Sequence, residues 1–143
     1  MSFAQAGGSS LEKLEIFLAI GLGGALGAVA RYVLSNLITA LTDTVFPFFP
    51  YGTWVVNALG CLTIGVIFTF GLETDWITPT GRAFLITGFL GAFTTFSTFA
   101  HEALLLFQEG KTATALLYIL SSNLVGLGFV ALGHLLVLSW LRG

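Results

Sequence analysis

Gly88 to Phe99 reads GFLGAFTTFSTF, and how this stretch is interpreted decides the fold. It lies inside an apolar segment yet carries two glycines, four hydroxyl side chains and four phenylalanines. A plain lipid-facing helix needs none of these. Threonine and serine hydroxyls compete for nearby backbone groups, and glycine lowers helix propensity, so the run predicts a helix that breaks. At membrane depth a break is tolerated only inside protein or beside a watery cavity. Freed carbonyls there suit cations and the N-terminus of a resumed helix suits anions, so the stretch points to ion handling.

Phe96 and Phe99 are three residues apart and on a resumed helix lie about 60° from one another. At about 100° per residue, Thr95, Thr98 and Glu102 fall in one arc with Phe99 beside it. A polar track therefore runs along an aromatic one. Ring edges are electropositive and, turned towards that track, would suit a small anion. Aromatic packing with threonines satisfying their own backbone is the equal alternative at this stage.

The 143 residues are 56% hydrophobic and 8% charged, with a mean hydropathy of +0.97; soluble domains carry about 25% charged residues. The chain reads as an integral membrane protein. Five scattered basic residues form no patch for nucleic acid, and the single Cys61 excludes an internal disulfide framework. His101 lacks the second histidine of a helical zinc motif. No nucleophile and base pair suggests an enzyme.

Residues 1–13 are small and polar and read as a flexible tail; residues 14–143 read as a single four-helix transmembrane domain. The expected spans are about 14–41, 53–72, 80–107 and 112–141, each enough for about 20 residues of crossing. A loop with two prolines and four aromatics, 42–52, joins the first two spans at the membrane surface. On the first span Arg31 follows Lys13 at a distance that would mark the opposite membrane edge. It reads as an interfacial anchor or as a fixed positive charge at a vestibule. On the second span Asn57 is the only amide. It either bonds another helix or offers its NH₂ to an anion. Glu102 is placed as a solvated helix-end residue or as a binder of a proton or cation. On the fourth span Tyr118, Ser122 and Gly126 repeat at four, one face of polar and small groups.

Lys13, Arg82 and Arg142 on one side barely outnumber Arg31 and Lys111 on the other. Such a weak bias suits a chain that inserts both ways. A bundle this small encloses a pore poorly, so an antiparallel dual-topology homodimer is expected.

Three blocks, GGALGAVARY (23–32), GTWVVNALG (52–60) and GFLGAFTTFSTF (88–99), resemble the signature blocks of the Fluc/CrcB fluoride channels. The resemblance covers the chain from about residue 15 onwards. It implies an all-α membrane protein with four transmembrane helices, the third broken, forming an antiparallel homodimer with two pores that passively export fluoride through the cell membrane. It further implies that Phe96 and Phe99 present ring edges to fluoride and that Asn57 is the pore amide. Tyr118, Ser122, Thr98 and Glu102 would form the polar track. The backbone carbonyls of Gly91 and Thr94 would hold a structural sodium ion at the dimer centre, as oxygen-only ligation suits a hard cation. The rival from another class is a proton-coupled small multidrug exporter, which needs an acid in the middle of a span.

Overall fold

The computed structural model describes residues 9–42, 44–45 and 48–143. The expected tail over residues 1–8, and positions 43, 46 and 47 of the expected aromatic loop, lie outside the described residues. Four long apolar helices make up the molecule, and the described residues contain no strand. We label them α1 (Ser10–Thr42), α2 (Tyr51–Glu73), α3 (Pro79–Gln108) and α4 (Thr112–Arg142).

Helix α1 begins earlier than the expected span. Ser9 and Glu12 cap it reciprocally: the Ser9 N–H donates to Glu12 Oε2 (2.6 Å) and the Glu12 N–H to Ser9 Oγ (3.2 Å). That pairing satisfies two N–H groups of the first turn, which is why residues 10–13 are helical and not tail. Helix α3 is opened by Thr78, whose Oγ1 accepts from the Gly81 N–H at 3.1 Å, with Pro79 at the first helical position. The Arg82 guanidinium reaches back to the carbonyl of Gly71, near the end of α2. The turn between α3 and α4 closes at Gly110, whose φ of +75° favours glycine.

Helix α3 is not uniform. Ala83–Leu90 takes wider π-helical turns, and Gly91–Phe93 makes one tight turn. Thr94 (φ −83°, ψ 157°) and Thr95 (φ −149°, ψ 115°) are extended, and Phe96–Gln108 is helical again. The first half of α3 lies against α1, where a methyl group on Gly23 or Gly27 would overlap the Phe84 or Phe89 carbonyl. The second half lies against α4, and α4 packs along α2, with Gly65 and Gly133 giving the close approach there. The largest contacts are therefore α1 with α3 and α2 with α4.

Two small cores result. Val56, Leu90 and Phe93 form one and Ala103, Leu106, Ala115 and Tyr118 the other. Most large apolar side chains face outwards, as with Leu26, Leu124 and Leu127. Outward apolar faces of this kind suit a bilayer, whose tails are as apolar as leucine.

Candidate functional site

The break in α3 faces an open cavity of about 380 Å³. Asn57, Gly91, Thr94, Phe96, Phe99 and Ser122 all line it. Six positions singled out from the sequence on three different spans thus meet at one place. The Phe96 and Phe99 rings are 5.7 Å apart and tilted by 49°. Phe99 continues to Tyr118 at 5.1 Å, and Tyr118 to Phe49 at 5.4 Å, so four rings form a ladder from the cavity towards the loop before α2. Phe96 stands 80% exposed in the single chain.

The polar groups divide into those already partnered and those left open. Thr95 Oγ1 caps the resumed helix, accepting from the Thr98 N–H at 3.2 Å and donating to Thr98 Oγ1 at 3.0 Å. Asn57 does more than the sequence suggested. Its Nδ2 donates to the Thr95 carbonyl (3.1 Å) while its Oδ1 accepts from the Thr95 N–H (2.8 Å). In an unbroken helix that N–H would go to the Gly91 carbonyl, so the Gly91 oxygen loses its helical donor. Ser122 Oγ is buried with no hydrogen-bond partner among the described residues.

Glu102 is not a solvated helix end. Thr53 Oγ1 donates to its Oε1 at 2.8 Å and the Tyr118 hydroxyl to its Oε2 at 2.7 Å. Thr53 is 4% exposed and Tyr118 fully buried, so the carboxylate is held between α2 and α4. Arg31 is not at a helix end either. α1 runs on to Thr42, and Arg31 Nε turns inwards to donate to the Ala92 carbonyl at 2.9 Å, beside the break. It shares a small cavity of about 100 Å³ with Thr53, Thr95 and Thr98.

Sequence reasoning missed Thr53 as a partner of Glu102 and Gly60 as the residue under Thr94. It also missed Trp54, whose Nε1 donates to Ser121 Oγ at 3.1 Å. The block GTWVVNALG contains all three, but nothing in their spacing says which helix they meet.

Four apolar helices around a cleft lined by aromatic rings, hydroxyls and the amides of Asn57 and Asn123 define a small multi-pass membrane protein. The chain belongs to the CrcB family: the family model described as CrcB-like protein, Camphor Resistance (CrcB), matches residues 18–134. It is 43% identical over 122 residues to the fluoride-specific ion channel FluC of Azobacteroides pseudotrichonymphae genomovar. CFP2, covering 85% of this chain and 94% of that one. The channel of the same name from Aquifex aeolicus is 39% identical over 123 residues, 86% of this chain and 97% of the relative. That from Shewanella halifaxensis is 45% identical over 122 residues, 85% and 95% respectively.

Proposed function

We propose that the protein is a fluoride channel that lets fluoride leave the cytoplasm passively across the cell membrane. The observation that carries this reading is the cavity lined together by Phe96, Phe99, the Asn57 amide and the unpartnered Ser122 hydroxyl. Fluoride is small and strongly hydrated. A pathway for it needs donors and electropositive edges at close range, binding well enough to replace water yet weakly enough to release the ion. Neutral groups meet both demands. The N-terminus of Phe96–Gln108 adds a favourable dipole for an anion at the same point. The track then continues past Thr98 towards Tyr118 and Glu102. Relatives named as fluoride-specific channels over most of their length support the ion's identity.

The functional unit in this reading is an antiparallel, dual-topology homodimer with two pores, formed by the single domain of residues 14–143. Its support is the weak basic-residue bias and a cavity that stays open in one chain. The third helix would break at the dimer centre, where the carbonyls of Gly91 and Thr94 hold a sodium ion. The donor set fits: redirection of the Thr95 N–H to Asn57 frees the Gly91 oxygen, and backbone oxygens suit a hard cation. Bound there, sodium would supply positive charge that holds two broken helices together. A proton-coupled exporter is not favoured, since both oxygens of Glu102 are engaged by hydroxyls and not free to exchange a proton for a cationic drug.

Fluoride efflux from liposomes holding the purified protein, followed with a fluoride electrode against chloride-loaded controls, tests the reading. Fast fluoride efflux with negligible chloride flux is expected. A folded protein that releases no fluoride overturns it.

A further inference from the structure

In the extended pair Thr94–Thr95 the Thr94 N–H still reaches the Leu90 carbonyl (3.0 Å), but the Thr95 N–H and carbonyl need partners from outside α3, and an unpaired backbone group at membrane depth is expensive. Helix α2 supplies what is missing. Asn57 exchanges both an N–H and a C=O bond with Thr95 (3.1 and 2.8 Å), the two-bond pairing that one strand residue makes with another in an antiparallel ladder. One turn further along α2, Gly60 leaves a gap that the Thr94 side chain fills, and a methyl group at Gly60 would overlap Thr94 Cγ2. The Thr94 hydroxyl meanwhile donates to the Leu90 carbonyl at 2.9 Å, which fixes its rotamer and aims Cγ2 at Gly60. On the opposite flank, Arg31 holds the Ala92 carbonyl. Asn57, Arg31 and the Thr94 hydroxyl thus hold residues 92–95 beside one bare glycine, together with the Thr94 N–H bond to the Leu90 carbonyl (3.0 Å) and the packing of Phe93 on Val56 and Leu90.

We infer that Asn57 and Gly60 form a template on α2 that sets the break in α3, making Asn57 a positioning residue for the freed Gly91 and Thr94 carbonyls in addition to a liner of the cavity. The inference rests on the channel reading above and deepens its cation site. Gly60 is the informative half. It has no side chain with which to bind an anion, and a methyl added there meets Thr94 Cγ2 first, so its effect on sodium reports the placement of Thr94.

The test is equilibrium binding of radioactive sodium to the purified full-length protein, with fluoride efflux measured alongside. Gly60→Ala should raise the sodium Kd about 10–100-fold, the range typical of residues that orient metal ligands. Adding Thr94→Ser removes the methyl that the new alanine displaces and keeps the hydroxyl, so the double variant should regain sodium affinity. Asn57→Ala should weaken sodium by a similar factor, and it decides the matter if Gly60→Ala does not fold. Unchanged sodium affinity in these variants overturns the template, as does a loss in Gly60→Ala that Thr94→Ser does not recover. A wild-type protein that conducts fluoride but binds no sodium overturns the template and leaves the channel reading standing. Sodium shifts as expected without fluoride efflux from the wild type overturn the channel reading and leave the template standing.

Discussion

Two clusters at the ends of one polar track use similar chemistry and reach opposite states. Around Glu102 each carboxylate oxygen accepts from a hydroxyl, the donors Thr53 and Tyr118 are buried, and the Phe99 and Phe49 rings cover the tyrosine. That cluster is complete within one chain. Around Ser122 a buried hydroxyl has no partner among the described residues, Phe96 is mostly exposed, and the cavity between them is open. A polar group left unpaired in a membrane is costly unless something else meets it. The difference separates the part of the bundle closed by its own side chains from the part that a single chain leaves open.

Substitutions can break that contrast. The largest effect is expected at Phe96: Phe96→Ile removes a ring edge at an exposed position, so fluoride efflux should fall below detection while thermal stability barely moves. Unchanged efflux takes Phe96 out of the pathway. Asn57→Asp should come next, because a carboxylate keeps the bond from the Thr95 N–H but cannot donate to the Thr95 carbonyl, and it repels an anion. Its efflux should be blocked, and normal conduction would remove the amide from the route. Tyr118→Phe leaves Glu102 with one donor, and the loss should cost about 1–3 kcal/mol of stability, read as a lower unfolding midpoint in detergent. The smallest structural effect belongs to Ser122→Ala. With no hydrogen bond to lose, stability should stay within about 0.5 kcal/mol, while efflux drops several-fold. If Ser122→Ala destabilises as much as Tyr118→Phe, the distinction between the two clusters fails.

Much of this was legible in the sequence for a specific reason. Four apolar runs of membrane-spanning length leave little choice of fold, and three-residue spacing alone brought the Phe96 and Phe99 rings together. Periodicity also placed Tyr118, Ser122 and Gly126 on one inward face. What periodicity cannot reveal is which groups meet across helices. Asn57 pairs with a residue 38 positions away, Thr53 with one 49 away and Arg31 with one 61 away. Those meetings depend on the rotation of each helix about its axis, set by where glycines permit close approach. Arg31 is the clearest case: its distance from Lys13 suggested a membrane edge, whereas the continuing helix carries it to the Ala92 carbonyl. The π-helical turns of Ala83–Leu90 left no recognisable trace either, since their partners are carbonyl and glycine contacts with α1.

The pairing of α1 with α3 and of α2 with α4 bears on how the chain is made. Spans leave the ribosome in order, so a nascent chain that has delivered only its first hairpin possesses neither of its principal seams. Gly23 and Gly27 then face lipid until Phe84 and Phe89 arrive, and Gly65 waits for Val130. Assembly of the bundle is thus a late event in biogenesis, completed when the last span enters the bilayer, and a truncation that removes α4 strands α2 without its main neighbour.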